Sequence, residues 1–537
     1  METYCGKSVS SGIAVGKVLF LNNNRELYFE EKAKDTETEL ELLRKGIEAV
    51  EADMAEFAKG LDNYDYEQER ILMDSHKLLV TDPIFVKSCE DKIRREKASA
   101  GRAVYEVGTE LARSFENMSD DFMRSRGLDI RDVMQQLLYV LAGDKRECYI
   151  LTGPVVLAAE ELTPSQTLGM DKNKILAFVV QKGSVNSHVS ILARLWNIPA
   201  VTGVMPTRDW DGQQAVVDGE NGIFYLNPTA EIIARAEGKQ KELECKEEEL
   251  KAYSGLANAT KSGKTIELYA NVGSLSDVQT AIENDAGGIG LFRTEFLFLG
   301  RKEPPTEEEQ FEIYRDAVIN MRGKPIIIRT MDIGSDKQAE YLEVLGEANP
   351  ALGLRGLRLS LAKPDLFKVQ LRAVLRAAVF GDVRVMYPMV TSLNEIHRVK
   401  QLAGQVKEEL RLQNYRYADV KQGIMIETPA AAVLSDVLAK EVDFFSIGTN
   451  DLTQYTLATD RQNPALLTYY DGENEAVLRL IQQTVENAHV AGIPVGICGE
   501  MAGDIALTAQ FLEWGVDELS LAPTKILEVR KTVRDCE

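Results

Sequence analysis

The chain has 537 residues, more than one hydrophobic core normally organises, so we expect two or three domains. Hydrophobic residues make up 45% and charged residues 27% of the sequence, as in ordinary soluble proteins, and no apolar run approaches the roughly twenty residues of a membrane span. Eighty-four acidic against 62 basic residues give a formal net charge of -22, which disfavours nucleic-acid binding and favours a basic protein partner or bound cations.

The N-terminal residues lack the basic segment and apolar run of a secretory signal, so we expect a cytoplasmic protein without membrane insertion. The six cysteines are scattered, and none forms a C-x-x-C pair. The sequence therefore predicts neither a disulfide framework nor a structural zinc site.

The first predicted elements are short strands within residues 3–21, where glycines separate β-branched residues. Long amphipathic helical patterns follow, and buried strand runs resume at Val155 and Ile175. We therefore predict a discontinuous α/β domain, residues 1–24 and 144–228, that carries an inserted helical bundle, residues 25–143.

A charged stretch, residues 229–254, is predicted to be an exposed linker helix. Beyond it, strand-like runs alternate with helical ones over residues 255–537. The strand-like runs are residues 266–271, 288–292, 326–330, 354–359, 383–388, 424–427, 444–448 and 495–498. This number and rhythm predict a (β/α)8 TIM-type barrel, which makes the whole chain a multidomain α/β protein.

Arginines and acidic groups cluster at the C-terminal ends of these runs, where a barrel places its active site. They include Arg293, Arg329, Asp332, Arg355, Arg358, Glu427, Asn450, Asp451, Cys498 and Glu500. Guanidinium groups bind carboxylate and phosphate, and carboxylates bind Mg²⁺. Each residue alone could belong to a strand-end salt bridge, but the agreement of several strand ends predicts a site for an anionic substrate with a divalent metal.

Several barrel segments have distinctive sequences. They read GLFRTEFL from Gly290, RTMDIGSDK from Arg329, NPALGLR from Asn349, ETPAA from Glu427, DFFSIGTNDLTQY from Asp443 and GEMAGD from Gly499. Together they resemble the barrel of enzyme I of the bacterial phosphoenolpyruvate-dependent sugar phosphotransferase system, and the resemblance runs nearly end to end. It implies a phosphohistidine domain, an inserted domain that binds the phosphocarrier HPr, and a barrel that binds phosphoenolpyruvate and forms a homodimer.

The resemblance also implies roles for individual residues. Glu427 and Asp451 would hold Mg²⁺, and Cys498 would protonate the methylene carbon of the enolate to give pyruvate. The residues that would contact phosphoenolpyruvate are Arg293, Arg329, Asn450 and Arg461, with Lys337 and Arg355 in the same substrate shell. For Cys498 taken alone, a buried strand-end cysteine that acts as a small hydrophobe is the alternative.

The nucleophile is expected outside the barrel, because the barrel motifs contain no histidine. Of the four histidines, we assign His188, which follows a loop of small residues and begins a predicted amphipathic helix. Phosphate on its imidazole would lie near backbone N–H groups and the positive end of the helix dipole. Its alternative is a structural residue at a helix start capped by Ser187. The other histidines, His76, His397 and His489, are predicted to lie on helices of the insert or barrel.

Two positions depart from the family's phosphohistidine signature: Ser184 replaces a usual glycine or alanine, and Val189 replaces a usual small residue. These departures leave open a catalytically weak regulator or scaffold. A paralogue that serves a regulatory phosphocarrier is a separate alternative, because the sequence does not indicate which carrier is served. Pyruvate phosphate dikinase and phosphoenolpyruvate synthase share the two domains but add an ATP-binding domain. This sequence shows no glycine-rich nucleotide loop, which argues against them.

Overall fold

The computed structural model describes most of the chain and divides it into two compact units, Met1–Glu247 and Glu248–Glu537. The residues outside the description are 22–31, 34, 61–76, 78, 117–120, 143–150, 152, 163–165, 167–170, 182–187, 197, 300, 302, 335–339, 343–346, 348 and 462. Among the described helices, none combines the length and apolar character needed to cross a bilayer.

The first unit contains one mixed sheet of eight strands in the order β1-β8-β7-β3-β4-β5-β6-β2. Its strands are β1 Glu2–Cys5, β2 Lys7–Ser10, β3 Ile13–Leu21, β4 Val155–Ala159, β5 Ile175–Val180, β6 Ala200–Thr202, β7 Gln214–Asp218 and β8 Ile223–Leu226. Strand β3 pairs in parallel with β4, with Lys17 opposite Val155, although the two strands lie far apart in the sequence. The predicted discontinuous α/β domain is therefore confirmed.

Helices lie in the described parts of the interval between β3 and β4. Those described are α1 Thr36–Gly60, α2 Pro83–Glu96, α3 Ala100–Glu116 and α4 Asp121–Leu141. They enclose a hydrophobic core of their own, built around side chains such as Leu43, Phe85 and Leu137. The inserted helical bundle is thus confirmed as part of the fold, while the residue limits of the domains stay predictions.

Two further described helices belong to this unit in whole or in part. Helix α5, His188–Leu195, lies between β5 and β6 in the sequence, and α6, Ala230–Lys251, continues across the boundary into the second unit. The predicted linker stretch is thus helical over most of its length.

The second unit is a closed barrel of parallel strands, as predicted. They are β9 Glu267–Val272, β10 Ile289–Arg293, β11 Ile326–Arg329, β12 Val383–Tyr387, β13 Lys421–Ile426, β14 Phe444–Ile447, β15 Val495–Ile497 and β16 Glu518–Leu521. The helices in this unit are α7 Leu275–Glu283, α8 Glu307–Asn320, α9 Leu357–Ala362, α10 Pro364–Ala377, α11 Leu393–Leu412, α12 Pro429–Val433, α13 Ser435–Leu438, α14 Thr449–Thr456, α15 Glu475–Ala491, α16 Thr508–Trp514 and α17 Ile526–Asp535. Its main core lies between strands and helices.

One predicted strand is wrong. Residues 354–359 do not form a strand; Gly356, with φ of 54°, instead precedes helix α9. The strand that closes the barrel is β16, which is not among the predicted strands. Alternating leucine and arginine after Leu354 imitate a strand period, whereas β16 has only four residues and gives a weak pattern.

Glu518 begins β16 and faces the interior at the N-terminal end of the barrel, because its neighbour Leu519 packs in the outer core. Burial raises the pKa of its carboxyl group to about 8; Arg384 opposes this rise, and Glu267 and Asp517 add to it. The folded state therefore binds the proton more tightly than an unfolded chain, whose value is near 4.5. Folding stability is then lost as the pH rises from about 4.5 to about 8.

We expect Glu518→Gln to remove this pH-dependent loss. The free energy of unfolding of the variant should exceed that of the unmodified protein increasingly between about pH 5 and pH 8, and by a constant amount above that range. Urea denaturation at several pH values measures the difference. A difference that is independent of pH would contradict the assignment.

Candidate active site at the barrel mouth

The C-terminal ends of β10 and β11 bring two arginines side by side. Arg293 and Arg329 are the last residues of their strands and are directly opposite each other in the ladder. Arg329 is buried, whereas Arg293 is exposed. Desolvation and the positive charge of Arg329 lower the pKa of Arg293. Within the described part of the chain Arg293 has neither an ion pair nor a hydrogen bond, so its guanidinium is available to an anion.

Buried carboxylates hold Arg329 and Arg355 in place. Arg329 donates to Glu295 through Nη2 and lies 3.6 Å from Asp332 Oδ2 through Nη1. Arg355 donates two hydrogen bonds to the same Asp332, from Nη2 to Oδ2 at 3.0 Å and from Nε to Oδ1 at 3.3 Å. Burial alone would lower the pKa of Arg329 and Arg355, but these carboxylates outweigh it and raise both values. Both guanidinium groups are therefore firmly charged.

Some buried polar atoms of the residues at the barrel mouth have no partner among the described residues. Arg329 Nε and Glu295 Oε2 are buried and make no hydrogen bond, and neither does Thr449 Oγ1. A buried unsatisfied polar atom costs about 1–3 kcal/mol. A polar ligand that reaches the barrel mouth would recover part of this cost.

Two carboxylates lie beyond the ends of the next strands. Glu427 follows β13 and accepts a hydrogen bond from the Met389 N–H at 2.6 Å, and Asp451 lies in the first turn of α14. Both are buried. Burial raises the pKa of Glu427 to about 8, and the nearby Asp451 and Asp332 contribute to the rise.

A magnesium ion fits this pair of carboxylates. Among the described residues no cluster of three or more acidic, histidine or cysteine side chains forms a complete metal cage. Mg²⁺ usually binds through one or two carboxylates together with substrate phosphate and water, and a cation would offset the charge that raises the Glu427 pKa. A Cβ at Gly448 would lie 3.1 Å from Glu427 Oε2, so this glycine leaves space beside the carboxylate.

Asn450 and Arg461 complete the polar rim. Asn450 Oδ1 accepts from the Glu500 N–H at 2.9 Å, and its Nδ2 donates to Glu500 Oε1 at 3.2 Å. Arg461 Nη2 lies 3.7 Å from Asp451 Oδ1. The partly exposed guanidinium can therefore turn toward a ligand without losing a tight contact.

Cys498 follows β15 and is buried with the side chains that fill the barrel interior. Its Sγ lies 3.5 Å from the Ile447 carbonyl oxygen. Burial raises the pKa of its thiol to about 12, and the Glu427 charge adds to the effect. The group is therefore a neutral thiol near pH 7, which carries a proton that it can donate.

The structure brings most of the predicted site residues to one end of the barrel. Those at the mouth are Arg293, Arg329, Arg355, Glu427, Asn450, Asp451, Arg461 and Cys498. Lys337 lies outside the described residues. His188 belongs to the other compact unit and begins α5 as the sequence predicts. The roles of these residues stay predictions.

Two of the remaining histidines lie on helices of the barrel unit. His397 and His489 lie on α11 and α15, as predicted, and His489 Nε2 is 3.1 Å from Asp517 Oδ2. His76 lies outside the described residues, as does Ser184. Val189 is only 3% exposed and packs in the core beneath the sheet, so its departure from the family signature fills a hydrophobic space.

Glu295 and Tyr455 also belong to this site, although neither is among the residues predicted from the sequence. Glu295 separates the charges of adjacent strand-end arginines, and Tyr455 accepts from Arg355 Nη1 at 3.3 Å. The signal for Glu295 was available: once two neighbouring strands both end in arginine, a nearby buried carboxylate is needed to offset their repulsion. Tyr455 has no comparable signal, because its partner is distant in the sequence.

Comparison with known protein families matches three profiles along the chain. The profile described as "PEP-utilising enzyme, PEP-binding domain" matches residues 247–537, more than half of the protein. The profile "PEP-utilising enzyme, N-terminal" matches residues 5–126, and "PEP-utilising enzyme, mobile domain" matches residues 151–222. The barrel thus matches the domain that is named for binding phosphoenolpyruvate (PEP).

Curated relatives match nearly end to end. A protein of Staphylococcus carnosus named "Phosphoenolpyruvate-protein phosphotransferase" is 38% identical over 533 residues, 98% of this chain and 93% of the relative. A protein of the same name from Geobacillus stearothermophilus is 38% identical over 537 residues, 99% of this chain and 93% of the relative. The chain is therefore an enzyme of the phosphoenolpyruvate-protein phosphotransferase family.

Proposed function

We propose that this enzyme transfers the phosphoryl group of PEP to His188 and then to a histidine of the phosphocarrier HPr, and that it releases pyruvate in the first step of cytoplasmic sugar uptake. One observation carries the proposal. At the barrel mouth, buried charged guanidinium groups alternate with carboxylates, within electrostatic reach of the acidic pair Glu427 and Asp451. This arrangement suits a small, highly charged anion bound with a divalent cation.

The arginines would bind and orient the substrate. Arg293 and Arg329, adjacent on β10 and β11, supply guanidinium groups for the phosphate and carboxylate. Arg461, whose guanidinium lies 3.7 Å from Asp451, and Asn450 would contact the same anion. Arg355 and Lys337 belong to the substrate shell in this proposal. Glu295 and Asp332 fix Arg329 before the substrate arrives, so little reorganisation is needed on binding.

Glu427 and Asp451 would hold Mg²⁺. When bound, the ion neutralises charge on the phosphoryl group and on the enolate oxygen. The imidazole of His188 attacks phosphorus while the phosphorus–oxygen bond of PEP breaks, which leaves the enolate of pyruvate. Cys498 then gives its thiol proton to the methylene carbon, and solvent restores the thiol before the next turnover.

The phosphocarrier would dock on the inserted helices. The net charge of -22 favours a basic partner, and the helices have their own hydrophobic core, so they can present a surface independently of the sheet. The matching test is transfer itself. Purified enzyme mixed with radiolabelled PEP and Mg²⁺ should acquire acid-labile label, release pyruvate, and pass the label to purified HPr. A catalytically silent scaffold would acquire no label.

A homodimer through the barrel is also part of the proposal. The apolar side chains of Val433, Leu434 and Val437, on and between α12 and α13, are 57%, 40% and 37% exposed. An exposed apolar cluster of this kind commonly marks a protein interface.

We expect Val437→Asp to weaken this dimer, because association would bury an unpaired carboxylate. Sedimentation velocity over a range of protein concentrations should show the monomer at concentrations where the unmodified protein is dimeric. Val490→Asp is the matched control, since Val490 on α15 is 90% exposed and lies on another helix. Equal dimerisation of both variants would move the interface elsewhere.

A further inference from the structure

The side chain of Asn271 joins two strand ends inside the barrel, one of which carries Cys498. On β9 the neighbours Ala270 and Val272 pack in the outer core, so Asn271 faces the interior. Its Nδ2 donates to the carbonyl oxygens of Cys498 and Ser520, each at 3.0 Å. Its Oδ1 accepts from Ser520 Oγ at 2.7 Å. Carbonyl oxygens only accept hydrogen bonds, so these contacts fix the orientation of the amide.

Cys498 lies one residue beyond the ends of the ladders that β15 forms with β14 and β16, so its carbonyl group takes no part in either ladder. Its N–H donates to the Ile447 carbonyl at 3.0 Å on the β14 side. On the other side, the ladder between β15 and β16 ends with Ile497 opposite Leu519, one residue before the cysteine. In this fully described stretch, Asn271 therefore supplies the cross-strand bond that the ladder does not.

Accurate placement matters more for this thiol than for most acids. A carbon atom is a poor hydrogen-bond acceptor, so the substrate cannot draw the thiol into line as an oxygen would. The next residue, Gly499, adds no stiffness of its own, since glycine has the least restricted backbone. The direction of the Cys498 side chain thus depends on how its main chain is held.

We propose that Asn271 is a positioning residue for proton transfer, holding the main chain of Cys498 so that the thiol faces one side of the methylene carbon. The inference rests on the proposed role of Cys498 as the acid. It assigns Asn271 no contact with substrate or metal. The residue acts through Cys498 alone, so phosphoryl transfer to His188 should not need it.

The test follows the stereochemistry of protonation. PEP that carries one deuterium at the methylene carbon in a defined geometry is converted in tritiated water, and the chirality of the pyruvate methyl group is analysed. The unmodified enzyme should give one configuration. Asn271→Asp keeps the size of the side chain but turns an oxygen toward both carbonyls, so it should give a mixture of configurations. Single-turnover pyruvate formation should slow about a hundredfold, the usual cost of a displacement near 1 Å.

Measurements of substrate binding distinguish a positioning role of Asn271 from a general structural disturbance of the site. The rate at which His188 acquires label, and the PEP concentration that half-saturates this rate, should stay within about twofold of the unmodified enzyme, because ground-state binding is untouched. Asn284→Asp is the matched control: Asn284 caps α7 on the outside of the barrel and donates to the Thr280 carbonyl at 2.9 Å. That variant should keep one configuration and the normal rate.

Cys498→Ala distinguishes the role of Cys498 as the acid from the role of Asn271 in positioning it. If it gives mixed configurations and Asn271→Asp gives one, the positioning role of Asn271 is overturned and the acid stands. If Cys498→Ala itself keeps one configuration, the acid is another group and both assignments fall. Should Asn271→Asp fail to fold, Asn271→Ser takes its place, because it removes the same bonds without adding charge. It should also give a mixture of configurations, and a single configuration would overturn the positioning role.

Discussion

Replacing His188 with alanine should abolish phosphorylation of the enzyme by PEP. Of the histidines that the structure describes, His188 alone begins a helix in the α/β unit, where the backbone N–H groups of the first turn can stabilise a phosphate. No other nucleophile in this proposal accepts the phosphoryl group, so the loss should be complete. Acid-labile label from radioactive PEP, measured on the intact chain, gives the result directly.

The barrel should keep its ligands in this variant, because all the proposed substrate and metal residues lie in the second unit. Calorimetric titration with PEP and Mg²⁺ should therefore give an affinity close to that of the unmodified enzyme. His489→Ala is the control: it removes an imidazole that contacts Asp517 on the barrel surface, and it should leave labelling unchanged. Acid-labile label that persists in the His188 variant would show that His188 is not the phosphorylated residue.

The sequence predicts the architecture of this enzyme well where patterns are long. The discontinuous sheet and the barrel both follow from strand runs that are apolar enough to be buried on two faces. The prediction fails at residues 354–359, because the left-handed backbone of Gly356 converts an alternating run into the start of α9. A single residue in an unusual conformation carries little weight in a periodic pattern, so this error could not be found from periodicity.

The sequence likewise predicts which residues form the site but not how they contact one another. Strand-end position and family resemblance bring the arginines and acidic residues to one place, since parallel strands end at the same rim. Neither strand-end position nor resemblance predicts how the side chains hold one another in place. The shared carboxylate of Asp332 between Arg329 and Arg355, and the amide of Asn271 beneath Cys498, depend on side-chain directions across different strands.

Glu427→Gln and Asp451→Asn should each reduce phosphoryl transfer by about a thousandfold, equivalent to about 4 kcal/mol of transition-state stabilisation. Each change removes one charged oxygen ligand while keeping the shape of the side chain. The negative charge of the substrate then lies beside Asp332 and the remaining carboxylate with weaker compensation. The loss should be largest at limiting Mg²⁺ and should lessen as the Mg²⁺ concentration is raised.

Stability measurements should show that these variants lose function without losing the fold. In Glu427→Gln the side-chain amide oxygen can still accept the Met389 N–H, and the change removes one of two neighbouring buried carboxylates whose repulsion contributes to the raised pKa of Glu427. In the presence of a chelator, the melting temperature of Glu427→Gln should therefore not fall below that of the unmodified enzyme. Glu441→Gln, at an exposed residue paired with Lys400, is the matched control and should retain full activity. If both site variants worked normally at limiting Mg²⁺, the metal ligands would have to be sought among other carboxylates of the barrel.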